Sequence, residues 1–252
     1  MNPSSGKSVV ILGATSGVAR PLAGEFARRG YVVGLAGRDR EELERLAADV
    51  RTRYETACHV LHFDALAFQE HDAFPRQCEE VFGALPDGVM LCFGYMADQE
   101  RAQADFETAR RTIDTNLTGA ISILERFAAP FALRGAGFIA ALTSVAGDRG
   151  RKANYIYGAS KAGLSTYLQG LRNRLYASGV QVTTIKPGFM DTPMTFGMNL
   201  PPMLTASPEA AAAAIARAVE RGRNIAYVSF FWRYIMWIIK SIPEFQFKKM
   251  SV

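Results

Sequence analysis

Cysteine and histidine are scarce in this sequence. It contains three of each in 252 residues, and neither set has the spacing of a disulfide framework or of paired zinc ligands. We therefore predict no metal site and a reducing compartment. The residues concerned are Cys58, Cys78, Cys92, His59, His62 and His71.

Long hydrophobic runs are absent as well. No stretch reaches the roughly 18 uncharged apolar residues that a membrane-spanning helix needs. The short polar segment 1–6 lacks the basic region and the long apolar region of a secretory signal. These absences predict a cytoplasmic protein, with peripheral attachment to the inner face of the membrane as the alternative.

Blocks of like charge are missing too, although the chain is basic. The formal net charge is +5 and the pI is about 9.2, but the basic residues are spread along the chain and form no RNA-binding pattern. We therefore predict no nucleic-acid partner and interpret the charge as a solvated basic surface. An anionic ligand or an anionic membrane surface is the alternative.

What the sequence does contain is a regular alternation of short apolar runs with helical patterns. Strands that alternate with helices pair in parallel and carry helices on both faces of the sheet. We therefore predict a single α/β domain over 1–252, built on a doubly wound parallel seven-stranded sheet. The predicted strands are 9–12, 31–36, 58–63, 89–93, 137–143, 180–186 and 225–229. The predicted helices are 17–29, 40–53, 68–82, 99–114, 116–133, 154–177 and one opened by Ser207, Pro208 and Glu209.

Two segments depart from this alternation. Residues 189–206 are rich in Met, Pro and Gly, and a loop of that length in a compact domain is typical of a substrate lid. Residues 230–252 form an aromatic and basic tail that contains both tryptophans, with Arg233 and Lys240 on one helix face. Such a helix lies at a membrane interface or packs on the domain or on a partner subunit, and the sequence leaves these alternatives open.

A run of small residues between the first strand and the first helix predicts a nucleotide site. Small side chains let the backbone approach a pyrophosphate, and the helix N-terminus provides amides and a partial positive charge. Its position at the start of a βαβ unit indicates a Rossmann-type dinucleotide-binding loop. The predicted contacts are Gly13, Thr15, Ser16, Gly17 and Val18.

The end of the second strand bears on the choice of nucleotide. NAD-specific sites place an acidic residue there for the ribose hydroxyls, whereas Gly37 fills that place here and Arg38 follows. A guanidinium suits a 2′-phosphate, so we predict NADP(H), with NAD(H) as the alternative because Asp39 comes next. Asp64 and Ala65, beside the third strand, are predicted to contact the adenine edge.

The predicted catalytic group is a tyrosine with a lysine one helical turn later. Tyr157 and Lys161 share a helix face, and a neighbouring ammonium is expected to lower the pKa of the phenol, ordinarily near ~10. Ser144 ends the fifth strand, at the carboxyl edge where such sheets bind ligands. We predict that Ser144 holds a carbonyl oxygen, that Tyr157 donates a proton to it, and that Lys161 supports Tyr157 and reaches the nicotinamide ribose.

With these residues the chain resembles the short-chain dehydrogenase/reductase family over nearly its whole length. The resemblance implies NAD(P)-dependent chemistry at a CH–OH group, a homo-oligomer, and a catalytic tetrad that Asn116 completes through a water-linked proton relay. It also implies that Pro187, Gly188 and Thr192 contact the cofactor, with the threonine holding the carboxamide.

Two positions depart from the family pattern. Ala19 stands in place of the third glycine of the phosphate loop, and the segment 91–94 reads LCFG where most members have NNAG. The second departure weakens any assignment to Leu91 and Cys92. Phe93 and Gly94 remain predicted cofactor contacts.

Residues 93–94, residues 148–155 and the tail resemble one branch of the family, the reductases of decaprenylphosphoryl-2-keto-erythro-pentose. This resemblance implies a keto-sugar reductase of cell-wall biosynthesis that acts on a polyprenyl-phosphate-linked 2-keto-pentose. The reaction would be the second half of an epimerisation, and a flavin oxidase would be its partner. Arg149, Arg151 and Lys152 would then face the lipid phosphate, or else form a solvated loop.

Two other functions stay open. The first is a soluble short-chain reductase or dehydrogenase of another small carbonyl or alcohol, because the tetrad does not choose among ketones. The second is a catalytically silent nucleotide-binding regulator. The intact set of Ser144, Tyr157 and Lys161 argues against the regulator.

Overall fold

The computed structural model describes residues 6–197 and 200–250. Residues 1–5 of the predicted domain, Met198 and Asn199 of the predicted lid, and the last two residues of the predicted tail lie outside the described residues.

One parallel sheet forms the centre of the fold, as the sequence predicts. In chain order the strands are β1 (Ser8–Leu12), β2 (Val32–Gly37), β3 (Cys58–His62), β4 (Gly88–Leu91), β5 (Phe138–Leu142), β6 (Gln181–Lys186), β7 (Phe189–Met190), β8 (Thr205–Ala206) and β9 (Ile225–Tyr227). Seven of them form the main sheet in the order β3-β2-β1-β4-β5-β6-β9, and all neighbours are parallel. The order reverses between β1 and β4, which opens a crevice at their carboxyl ends.

Helices cover both faces of the sheet. They are α1 (Ala19–Arg28), α2 (Arg40–Tyr54), α3 (Phe74–Phe82), α4 (Gln99–Ala104), α5 (Phe106–Ile113), α6 (Gly119–Arg134), α7 (Tyr155–Leu175), α8 (Pro208–Glu220), α9 (Phe231–Ser241) and α10 (Glu244–Phe247). Apolar residues of α1, α2 and α8 pack on one face, and those of α3, α6 and α7 pack on the other. The fold is therefore the predicted doubly wound α/β sandwich.

The strands are apolar on both sides because both faces are covered. In β1, Val9 and Ile11 pack into one core layer and Val10 and Leu12 into the other, and all four are fully buried. A strand buried on both faces reads as a continuous apolar run rather than as an alternating one. This is the signal that identified the strands in the sequence.

The predicted helix 99–114 is two helices. Asp105 ends α4 and caps α5, where its carboxylate accepts hydrogen bonds from the amides of Glu107 and Thr108. A capping aspartate competes with the helix interior for backbone amides, so the chain breaks here. A single π-helical turn, Asp114–Thr118, then connects α5 to α6.

The predicted lid has more structure than a loop. Its ends form a two-stranded parallel ribbon in which β7 pairs with β8, and between them lie two short 3₁₀ turns, Pro193–Thr195 and Pro202–Leu204. This pairing holds the two ends of the segment 189–206 next to each other.

The tail packs on the domain through one face only. Trp232 and Met236 of α9 are buried and form a small apolar cluster with Val145. On the opposite face, Tyr234 and Trp237 are exposed. The alternative in which the tail packs on its own domain is therefore confirmed for the inner face. Within the described residues, no helix combines the length and the apolar character that crossing a membrane requires.

Candidate active site

A cavity of about 470 Å³ lies at the carboxyl ends of the strands. Every predicted cofactor contact lines it, together with Ser144, whereas Asn116 lies behind its wall and is buried. The predicted residues in the lining are Gly13, Thr15, Ser16, Gly17, Val18, Arg38, Asp64, Ala65, Phe93, Gly94, Ser144, Tyr157, Lys161, Pro187, Gly188 and Thr192. The structure thus brings together residues from seven separate parts of the chain.

The phosphate loop turns sharply after β1 at Gly13. Its φ is +79°, and a Cβ there would lie 2.6 Å from the backbone nitrogen of Phe93, so only glycine fits. The loop is held by hydrogen bonds from the amides of Gly13 and Ala14 to the carbonyl of Ala36. Ala19, the substitute for the third glycine, is fully buried in the core, which shows that a methyl group fits there.

One polar atom of this loop fits a nucleotide. The Ser16 hydroxyl is buried and has no hydrogen-bond partner among the described residues. A buried hydroxyl without a partner costs free energy unless a ligand completes it. Together with the glycine turn and the start of α1, this hydroxyl suits a pyrophosphate oxygen.

Arg38 and Asp39 have different positions at the end of β2. Arg38 is exposed and lines the cavity. Asp39 is the N-cap of α2, and its carboxylate accepts a hydrogen bond of 3.0 Å from the amide of Glu42. Asp39, the acidic residue that favoured NAD(H), therefore caps a helix, whereas the Arg38 side chain lines the cavity.

Asp64 and Ala65 lie where the third strand reaches the cavity. The Asp64 carboxylate accepts a hydrogen bond of 3.0 Å from the amide of Leu66, which shapes a tight turn. Phe93, from the divergent segment after β4, packs its ring against Phe63 at a centroid distance of 5.6 Å. Phe63, Ala65 and Phe93 form an apolar part of the cavity wall. This is the part of the site that the sequence predicts for the adenine.

Three of the four catalytic candidates, Ser144, Tyr157 and Lys161, line the cavity. Ser144 follows β5, and its hydroxyl accepts a hydrogen bond from the amide of Ala146 at 3.0 Å. The Lys161 ammonium lies 5.8 Å from the Tyr157 ring centroid and donates to the carbonyl of Leu142 at 3.0 Å. The Tyr157 phenol, the Ser144 hydroxyl and the Lys161 ammonium therefore line the same cavity.

The expected lowering of the tyrosine pKa is wrong for the protein alone. Burial raises the pKa of Tyr157 to about 12, and the nearby Ser144 hydroxyl opposes this only in part. Burial lowers the pKa of Lys161 to about 8, with the nearby Cys92 thiol opposing that shift. Burial of the charged form is the largest cause of both shifts. The Tyr157 phenol is therefore protonated at neutral pH.

Asn116 holds the loop after β4 in place. It lies in the π-helical turn, where its side-chain amide donates to the carbonyl of Tyr95 at 2.8 Å and to the Ser160 hydroxyl at 3.0 Å. Its side-chain carbonyl accepts from the Tyr95 amide at 2.7 Å. These contacts hold Tyr95, and with it the preceding Gly94, in place. Gly94 lies beside Lys161, since a Cβ on Gly94 would be 3.4 Å from the lysine nitrogen.

The segment after β6 is shaped by the tail. A Cβ on Gly188 would lie 1.9 Å from the indole nitrogen of Trp232, so the close approach of this ring requires glycine. Thr192 lies against the phosphate loop, since a Cβ on Gly17 would be 3.0 Å from the Cβ of Thr192. The segment from Pro187 to Thr192 therefore lies between the phosphate loop, which it contacts through Thr192, and α9, which it contacts through Gly188.

Several lining residues were missed from the sequence. They have no motif, because they enter the lining through α5, the turns beside α4, α5 and α7, and the segment 189–206. Arg111 projects from α5, and its guanidinium lies 4.7 Å from the Tyr95 ring centroid. The others in the lining include Met96, Thr115, Asn154, Met190 and Met194.

Comparison with known proteins agrees with this geometry. The model of the short chain dehydrogenase family matches residues 7–200. The chain is 34% identical to an uncharacterized oxidoreductase of Mycobacterium tuberculosis, with 99% of each chain covered. It is also 34% identical to an uncharacterized oxidoreductase of Streptomyces coelicolor, over 98% of this chain and 96% of the relative. Among solved structures, it resembles a short-chain dehydrogenase from Sphingobium yanoikuyae in complex with NADPH. The TM-score is 0.80 and the identity 24%, over 94% of this chain and 97% of that one.

Proposed function

Because the chain belongs to the short-chain dehydrogenase/reductase family of NAD(P)-dependent oxidoreductases, we propose that it is an NADPH-dependent reductase of a ketone. The observation that carries this proposal is the shared cavity. Its lining includes the phosphate loop, Arg38, Ser144, Tyr157 and Lys161. The exposed guanidinium and the engaged Asp39 favour the 2′-phosphate form of the nucleotide.

The residues divide the reaction among themselves. Bound NADPH supplies the hydride. The Ser144 hydroxyl donates a hydrogen bond to the ketone oxygen as negative charge develops there, and Tyr157 donates its proton to the same oxygen. The Lys161 ammonium then stabilises the phenolate that remains, since a nearby positive charge favours the ionised phenol.

The test is an NADPH-oxidation assay on a panel of ketones, with NADH in parallel. Replacement of Tyr157 by Phe removes the proton donor, so kcat/KM should fall by about 10²–10⁴-fold, while NADPH binding measured by fluorescence stays unchanged. A chain that binds NADPH but reduces no ketone, and in which Tyr157→Phe changes nothing, is a regulator instead.

We further propose a substrate class and a location, which deepen this function. The substrate is a polyprenyl-phosphate-linked 2-keto-pentose, reduced in the second half of an epimerisation whose first half a flavin oxidase performs. The enzyme then works at the inner surface of the membrane. The support comes from the tail, since the aliphatic chain of such a substrate keeps its headgroup at the bilayer surface.

The outer face of α9 has the composition of an interfacial helix. Phe230, Tyr234, Trp237 and Ile238 are all more than half exposed and recur at the spacing of one helix face. Arg233 and Lys240 are exposed along one flank of this stripe. Aromatic rings at headgroup depth, with cations beside them, are typical of helices that lie on anionic membranes.

Vesicle sedimentation tests the location. The full chain should sediment with phosphatidylglycerol vesicles and only weakly with phosphatidylcholine vesicles, because each cation near an anionic surface contributes about 1 kcal/mol. The double variant Tyr234→Ala/Trp237→Ala should lose this binding. Tyr176→Ala, which removes an exposed aromatic ring elsewhere, is the matched control. Absence of sedimentation, with ketone reduction intact, would leave the soluble reductase as the function.

A further inference from the structure

Three cations follow Ser144 within a short stretch of chain, and the structure gives them three different environments. The stretch itself is anchored at Asp148. This carboxylate pairs with the Lys186 ammonium and accepts a hydrogen bond of 2.8 Å from the Tyr227 hydroxyl. The Asp148 side chain is buried, so its contacts hold the loop after Ser144 in place.

Arg149 is committed to the tail. Its guanidinium donates to the carbonyls of Ile239 at 2.7 Å and Ile242 at 2.6 Å, and it lies 3.8 Å from the Phe247 ring centroid. It also pairs with Glu244. With these partners, Arg149 joins the loop to the end of α9 and has no role left in the cavity.

Lys152 and Arg151 point to different surroundings. Lys152 is exposed and does not line the cavity. Arg151 is partly buried and lines it, and its Nε has no hydrogen-bond partner among the described residues. Burial lowers the pKa of the Arg151 guanidinium, and the Asp148 carboxylate opposes this shift.

A buried guanidinium donor without a partner is costly for the free protein. Asp148, the nearest acidic residue in sequence, is already paired with Lys186. Asn154 lines the same cavity, and its side-chain oxygen is also buried without a partner among the described residues. Arg111 adds a second guanidinium to the lining. The lining therefore includes two cations and one unpartnered acceptor, and none of them belongs to the phosphate loop.

We propose that Arg151 binds an anionic oxygen group, a phosphate or phosphodiester, on the substrate ketone, with Arg111 as the second cation and Asn154 accepting a hydrogen bond from a neighbouring hydroxyl. This inference rests on the proposed function, because it assigns a substrate contact in the same cavity. A guanidinium matches the planar pair of oxygens that such a group presents.

A lipid phosphate and a free sugar phosphate share this chemistry, so the experiment uses one probe of each kind. Farnesyl phosphate and ribulose 5-phosphate are titrated calorimetrically into the full chain saturated with NADP⁺, which keeps the phosphate loop occupied. Arg151→Gln should weaken binding of the preferred probe by about 10–100-fold, as for a charge-assisted hydrogen bond. The matched control Lys152→Gln removes the same charge from the same loop and should change affinity by less than about twofold.

A second measurement separates binding from folding. Because the Arg151 guanidinium is incompletely satisfied in the free protein, Arg151→Gln should leave the melting temperature unchanged or raise it. Arg151→Lys keeps the charge but loses the fork, and should recover only part of the affinity. A preference for farnesyl phosphate identifies the lipid source, and a preference for ribulose 5-phosphate identifies the free one; either supports the subsite.

Three outcomes overturn the subsite: no binding of either probe to the NADP⁺-loaded wild type, equal affinity in Arg151→Gln, or an equal loss in Lys152→Gln. The failure of the proposed function is visible separately. In that case the chain does not bind NADP⁺ when the nucleotide is titrated alone, or it reduces no ketone.

Discussion

The carboxyl edge of the sheet and the C-terminal segment 230–250 are built in different ways. At the sheet edge, the phosphate loop, Arg38 and Ser144 follow β1, β2 and β5, and each of these strands has a neighbour on both sides and apolar core residues on both faces. The C-terminal segment is attached through one helix face, led by Trp232, and through the Arg149 guanidinium. The sheet edge therefore positions the predicted site residues, while the segment packs against Gly188 through Trp232 and leaves its outer face exposed.

The largest expected effect breaks the attachment of the segment. Trp232→Ala removes a buried ring and should lower the free energy of unfolding by about 3–5 kcal/mol, measured by chemical denaturation. Trp237→Ala removes the same kind of side chain from the exposed face of the same helix and should change stability by less than about 0.5 kcal/mol.

The same pair of variants tests whether the segment supports the site. Since the Trp232 ring covers Gly188, its loss should weaken NADPH binding as well as stability. Unchanged nucleotide affinity in a folded Trp232→Ala chain would show that the two regions are independent.

A change confined to the sheet edge should weaken nucleotide binding without changing stability. Arg38→Gln removes the guanidinium proposed to pair with the 2′-phosphate, so the affinity for NADPH should fall by about 10–100-fold. The affinity for NADH and the melting temperature should stay as they are, because Arg38 is exposed. Parallel titrations of both nucleotides provide the measurement, and equal losses for NADPH and NADH would contradict the assignment.

The smallest effect is a pH dependence within the sheet edge. The pKa of Lys161 is lowered to about 8 and that of Tyr157 is raised to about 12, so the lysine loses its proton first as the pH rises. Reductase kcat/KM should be flat at neutral pH and fall above about pH 8, by roughly tenfold per unit. The residual activity of Lys161→Met should lack this decline. A wild-type decline that begins only near the ordinary pKa of tyrosine would assign it to Tyr157 instead.

Much of the sheet and of the nucleotide site could be predicted, because both depend on local patterns. Apolar runs identified the strands of the main sheet, and the small residues from Gly13 to Gly17 identified the phosphate loop. The break at Asp105 was missed because a capping aspartate inside a helical pattern is ambiguous until its carboxylate has a partner. The pKa of Tyr157 was predicted in the wrong direction, since spacing shows that Lys161 is near but not how deeply both groups are buried.

The amino-acid sequence alone determined the order of the elements, the strand ends that carry Ser144 and Arg38, and the shared helix face of Tyr157 and Lys161. These follow from periodicity, which acts between residues close in the chain. Only the tertiary structure decided that Asp39 caps a helix, that Trp232 requires glycine at 188, and which cation of the loop after Ser144 enters the cavity. Those outcomes depend on contacts between distant parts of the chain, and on how burial changes the free energy of each charge.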